Sequence, residues 1–118
     1  MGNLGENIAR EYLKSKGYNI VESNHRNKYA EIDLIARDKQ RILIFIEVRT
    51  KTSEQLVSPE ESINKRKICR LVRNAKAYLG KINYKGLARI DAVCIVLSEE
   101  GICRRITHYE NISQDFKS

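Results

Sequence analysis

The chain contains no tryptophan, one proline (Pro59), one methionine and six glycines in 118 residues. It has no low-complexity segment, no internal repeat and no linker long enough to divide it, so one domain spanning residues 1–118 is expected. Cysteine is also scarce: Cys69, Cys94 and Cys103 are an odd number, and no two have C-x-x-C spacing. A fully paired disulfide framework and the commonest zinc and redox spacings are thereby excluded. The three read as reduced thiols, with Cys94 a small buried hydrophobe inside the apolar run 93–97. No apolar stretch approaches the ~20 residues that span a bilayer, and residues 1–6 carry no signal-peptide core. The expectation is a cytoplasmic chain with no membrane partner.

What is abundant is positive charge. Lys and Arg number 22 against 15 acidic residues, a formal net charge of +7. A polyanion is therefore the first partner to consider, although charge alone does not single out nucleic acid. With 42% hydrophobic residues the chain can still bury a core without disulfides or a structural metal.

The pattern of residues predicts a helix capped by Asn3 and Glu6 and ended by Gly17, burying Ile8, Ala9, Tyr12 and Leu13. An extended edge segment over 18–21 then runs into a polar loop over 22–28. Two runs, 31–36 and 42–49, read as a hairpin around a wholly polar connection, and the second is apolar on both faces through Ile46. Such a strand is central and covered on both sides, which calls for helices against the sheet. Ser58-Pro59-Glu60-Glu61 predicts a helix start and Gly80 its stop, with Lys65, Arg66, Lys67, Arg70, Arg73 and Lys76 crowding the surface of an amphipathic, basic helix. Strands over 87–97 and 102–109, turning at 98–101, complete an α/β order, and the tail from Asn111 reads as frayed.

The chemistry is concentrated in the hairpin. Asp33 stands between Ile32 and Leu34 in a strand whose partner is buried, where an unpaired carboxylate is costly. The partner strand repeats the anomaly with Glu47 and Arg49. If the hairpin loop centres on Gln40, Asp33 falls opposite Glu47 on the same face, and Glu31 shares that face of its own strand. Two adjacent, partly buried carboxylates need a proton or a cation between them. An oxygen-only set of this kind suits Mg²⁺ or Mn²⁺, completed by substrate phosphate oxygens. Arg49 and Lys51, further along that face, would meet a phosphate. The bland alternative for Asp33 and Glu47 is a structural ion-pair network with Arg49 or Arg89. Glu6 has its own, because a capping glutamate needs no chemistry; yet Glu6, Ala9 and Leu13 share a helical stripe that would turn it inward.

Glu31-Ile32-Asp33, a hairpin, then Glu47-Val48-Arg49 resembles the D…ExK core of restriction-endonuclease-like enzymes. With Gly5-Glu6, Ala9, Tyr12-Leu13, Gly17-Tyr18, Asn24, Arg26 and Arg89-Ile90-Asp91, the chain resembles the YraN family of small bacterial proteins (UPF0102), itself similar to archaeal Holliday junction resolvases. The resemblance implies a restriction-endonuclease-like core, with Asp33 and Glu47 as metal ligands and Glu6 as an additional acid; Glu31 reads as the lesser acid, ligating the metal through water or lying at the solvent edge of its strand. It also implies that the residue two after Glu47 orients water or stabilises developing charge. Here that residue is Arg49 rather than the usual lysine. Arginine can grip a phosphate oxygen but cannot serve as a base, and Lys51 lies ~7 Å further along the strand. The implied function is a Mg²⁺- or Mn²⁺-dependent nuclease for structured or branched DNA. Arg49 and Lys51 would meet the nucleic-acid backbone, and Arg26 and Lys28, just before the site, either join them or belong to a solvated polar loop. A homodimer would be consistent with such a role. The alternatives are a nucleic-acid-binding module without turnover and a protein adaptor whose acids are only structural. His108, without a partner in sequence, is given no role.

Overall fold

The computed structural model describes residues 4–26, 31–53 and 57–113. Along them run α1 (Leu4–Ser15), β1 (Asn19–Arg26), β2 (Glu31–Arg37), β3 (Leu43–Thr52), a 3-10 turn (Pro59–Ser62), α2 (Lys65–Lys81), β4 (Ala88–Leu97) and β5 (Cys103–Tyr109). The strands make one mixed sheet in the order β1-β2-β3-β4-β5. β1–β2, β2–β3 and β4–β5 are antiparallel, while β3 and β4 are parallel and are connected through α2.

The two-faced apolarity of β3 has the meaning expected of it. Ile44 and Ile46 join Ala9 and Leu13 of α1 in one core cluster, and Leu43 and Phe45 join Leu71, Ala75 and Tyr78 of α2 in the other. Each helix buries its stripe on one face of the sheet, giving an α/β sheet flanked by helices. α1 ends as expected: Gly17 adopts a φ of 91°, and the Tyr18 N–H donates to the Leu13 carbonyl at 2.9 Å. The Asn3 cap lies outside the described residues.

Three local expectations change. The polar stretch after Val21 is strand rather than loop, because β1 continues to Arg26 and pairs with β2 through His25↔Ile32 and Arg26↔Glu31. An edge strand needs few apolar side chains, and His25 is anchored by Glu22 at 2.6 Å and by edge-to-face packing on Tyr78. Second, the helix begun at Ser58 is broken. Pro59–Ser62 make only a 3-10 turn, and α2 starts afresh after Asn64, whose side chain accepts the Lys67 N–H at 2.9 Å. Third, the left-handed residue that ends α2 is Asn83, with φ 55°, while Gly80 stays within the helix. Replacing Asn64 with Ala removes the cap and is expected to lower stability by about 1 kcal/mol, read from urea denaturation.

The tail is also held further than its composition suggests. The Asn111 N–H donates to Asp91 at 2.9 Å and the Ile112 N–H to the Ile90 carbonyl at 2.8 Å. Asp91 itself is fully buried, and its carboxylate takes Arg89 Nε at 3.0 Å and His108 Nε2 at 2.8 Å. Arg89 continues to the Tyr18 hydroxyl at 2.8 Å and to Asp38 at 3.4 Å, and the His108 ring packs edge-on to Tyr12 and Tyr18. His108 therefore has a partner 17 residues away that no local pattern reveals. Burial alone would raise Asp91, but hydrogen bonds from His108, Arg89 and the Asn111 N–H outweigh it and hold the carboxyl below its ordinary value.

Candidate functional site

The β2–β3 ladder pairs Leu34 with Ile46 and Arg37 with Leu43, a register centred on residue 40 that projects Asp33 opposite Glu47. Beyond Leu34 the ladder gives way to a side chain: Asp33 Oδ2 accepts the Val48 N–H at 2.8 Å. The carboxylate thus satisfies a β3 amide that a carbonyl would otherwise have to meet. An open cleft of about 560 Å³ lies here, lined among others by Glu6, Glu31, Asp33, Glu47, Arg49, Lys51 and Lys67. Asp33 and Glu47 therefore face one cavity, not opposite sides of the sheet.

Four acids meet at this cleft from three elements. Glu6 is buried in the first turn of α1, so it turns inward in addition to sitting where a helix favours an acid. Oxygens of Glu6, Glu31 and Asp33 lie within 4.8 Å of one another. Asn24, with a φ of 55° and its amide nitrogen turned inward, donates to Glu31 Oε2 at 2.7 Å and to both Glu6 oxygens at 3.0 and 3.1 Å. Burial first, and then the Glu47 carboxylate, push Asp33 up to about 7 despite the Val48 hydrogen bond. Burial and the nearby Asp33 raise Glu6 as well.

Cations flank the acids unevenly. Arg49 Nη2 lies 2.7 Å from Glu47 Oε2, and Lys67 Nζ approaches the same oxygen at 3.4 Å. The ion-pair alternative thus holds for Glu47 with Arg49, whereas Arg89 is committed to Asp91 and Asp38 and pairs with neither site acid. Arg49 Nε is buried with no acceptor among the described residues, an orphaned donor beside the cleft. Lys51 lines the cleft. Arg26 is not among the lining residues; its exposed side chain reaches Glu31 at 3.4 Å. Lys28 lies outside the described residues. Sequence reasoning does not single out Lys67 or Asn24 as site residues. Lys67 is hidden in a run of six basic helix residues, and Asn24 in a stretch that reads as loop.

The all-oxygen donor set, three carboxylates able to bring oxygens together, and an Asp33 carboxyl that resists ionisation fit a hard divalent cation. The partly exposed Arg49 guanidinium in the cleft wall fits an anionic oxygen.

The family model described as "Uncharacterised protein family UPF0102" matches residues 5–95. Among similar proteins, the UPF0102 protein of Persephonella marina is 44% identical over 96 residues, covering 80% of this chain and 82% of that one. That of Alkaliphilus metalliredigens is 40% identical over 114 residues, covering 94% of each. That of Desulforamulus reducens is 37% identical over 113 residues, covering 94% and 93%. Among solved structures, one of an EndoMS-dsDNA2 complex aligns with a TM-score of 0.39 and 13% identity, over 86% of this chain and 39% of that one. At that level the likeness carries no argument about function.

No helix in the described residues is long and apolar enough to cross a membrane. All three cysteines are free, Cys94 buried and Cys69 and Cys103 exposed, and burial pushes the Cys94 thiol up to about 11.

Proposed function

For this chain, which belongs to the uncharacterised protein family UPF0102, we propose a divalent-metal-dependent nuclease that hydrolyses phosphodiesters of structured or branched DNA. The observation that carries the reading is the meeting of Asp33 and Glu47, with Glu31 and Glu6, in one cleft beside an orphaned guanidinium N–H. Asp33, Glu31 and Glu6, whose oxygens converge, would hold Mg²⁺ or Mn²⁺; Glu47 would join them on exchanging one of its two cations for the ion. A bound divalent ion supplies Lewis acidity toward the phosphate and makes water more acidic.

The chain's own residues do the rest. The Val48 N–H fixes the rotamer of Asp33, so its free oxygen is aimed into the cleft without reorganisation. Asn24 holds Glu6 and Glu31 by donating to both, which keeps two acids together before substrate arrives. Arg49, tethered by Nη2 to Glu47, offers the exposed part of its guanidinium to a non-bridging phosphate oxygen. Lys51 extends the positive wall and, with Arg26 and Lys28, would meet the backbone of the nucleic acid.

Purified protein is tested on single-stranded, duplex, flap and four-way-junction DNA with Mn²⁺. Cleavage is expected on the branched members, lost on adding EDTA and reduced at least ~100-fold in Asp33→Ala, while binding in Ca²⁺ is retained. Salt-sensitive binding with no cleavage on any member would instead establish the module that binds without turnover. One observation favours that second reading: Glu47 Oε2 is already met by two cations.

A further inference from the structure

We propose that Lys67 of α2 is a catalytic residue of this site, its ammonium contacting the scissile phosphodiester as negative charge builds on the phosphate. The inference rests on the nuclease reading above and assigns the duty that a lysine two residues after Glu47 would otherwise hold. In the hydrolysis, the water oxygen forms a new bond to phosphorus, and one bridging P–O bond breaks. The water's surplus proton passes to solvent, and the departing alkoxide takes up a proton from solvent. Lys67 neither gains nor loses a proton; it balances charge on a non-bridging oxygen.

The Lys67 Nζ lies 3.4 Å from Glu47 Oε2, and the side chain, only 23% exposed, lines the same cleft as Asp33, Glu31 and Glu6. Glu47 already has a closer cation in Arg49, at 2.7 Å on that same oxygen. Arg49 alone matches the charge of Glu47, which leaves the Lys67 ammonium in the cleft wall able to meet an entering anion.

The first turn of α2 carries Lys65, Arg66 and Lys67 and no acidic residue. Helix N-termini carry partial positive charge and are stabilised by acids, so this turn opposes its own dipole. A sequence that breaks a local rule in this way does so most often at a functional site. Lys67 is also the member of the three whose side chain turns to the cleft.

The extended Asn64 separates α2 from the turn at Pro59, and its side chain takes the Lys67 backbone N–H at 2.9 Å, fixing the turn that carries the lysine. Arg49 complements Lys67: its planar fork orients, whereas the compact ammonium follows a charge that shifts during the reaction.

The test compares Lys67→Met, Lys67→Arg and Lys76→Met with wild type on a four-way-junction oligonucleotide. Cleavage is followed in Mn²⁺, binding in Ca²⁺ and folding by thermal melting. Lys76 is exposed, further along α2 and outside the cleft lining. Lys67→Met is expected to lower kcat about 100-fold with Kd within threefold of wild type, Lys67→Arg to recover at least a tenth of wild-type kcat, and Lys76→Met to cleave normally. Wild-type cleavage with Lys67→Met equally active, or with kcat unchanged and only Kd weakened, would overturn this inference and leave the nuclease reading intact. Absence of wild-type cleavage would overturn both. If Lys67→Met melts early, Lys67→Arg decides: a folded arginine variant with less than a tenth of wild-type kcat and poorer DNA binding refutes the assignment.

Discussion

Asp33→Asn is expected to make the protein more stable at pH 8 in EDTA, by on the order of 2–4 kcal/mol, while removing cleavage. The cause is burial first and then the neighbouring Glu47 carboxylate, which together raise Asp33 to about 7 in the fold. A carboxyl whose folded value lies above its unfolded one favours folding only while it is protonated. Stability therefore falls as pH rises from the unfolded value near 4 toward 7, and the deficit is complete above that. Asparagine has no charge to confine, and its Oδ1 can still accept the Val48 N–H. The gain over wild type should vanish below about pH 4, where both states of Asp33 are protonated. Millimolar Mg²⁺ or Mn²⁺ should raise the wild-type melting temperature and close most of the gap. Urea unfolding at pH 4, 6 and 8, with EDTA or Mn²⁺, measures this. An Asp33→Asn protein no more stable than wild type at pH 8 in EDTA would remove the picture of a strained acidic pair.

Asp91→Ala is expected to have the opposite sign and a comparable size, a loss of about 3–5 kcal/mol at pH 7. It leaves Arg89 and His108 buried beside an absent carboxylate and frees the Asn111 N–H that holds the tail. Asp91 is held below its ordinary value, so its contribution is fully present above the unfolded value near 4 and is lost as pH falls through the folded one. The difference between wild type and the alanine variant, followed by urea denaturation, should shrink steadily below about pH 4. A cost under about 1 kcal/mol at pH 7 would mean that the cluster only fills space.

These two acids mark how far the sequence can be read. Asp33 is legible because it breaks an apolar strand and because a polar hairpin loop centred on Gln40 fixes its register against Glu47, both local facts. The two-sided coverage of β3 follows from consecutive apolar residues in the same way. Asp91 is legible only as a matched residue, because its partners Arg89, His108 and Asn111 converge through packing across β4 and β5. Lys67 escapes notice for a related reason: helical spacing distributes seven basic residues around α2, and no local pattern shows which one meets Glu47. The β1 extension is hidden because an edge strand can be built from polar residues once a partner supplies its hydrogen bonds.

The acidic cleft draws its carboxylates from α1, β2 and β3, not from one contiguous loop. Glu31, Asp33 and Glu47 lie on one hairpin, so the segment spanning β2 and β3 carries three of the four acids, and only Glu6 comes from elsewhere. Undocking of α1 alone would withdraw Glu6 from the group while the β2–β3 ladder persists. The repulsion that Glu6 adds is therefore felt only when that helix packs against the sheet, which ties helix docking to the charge state of the cleft.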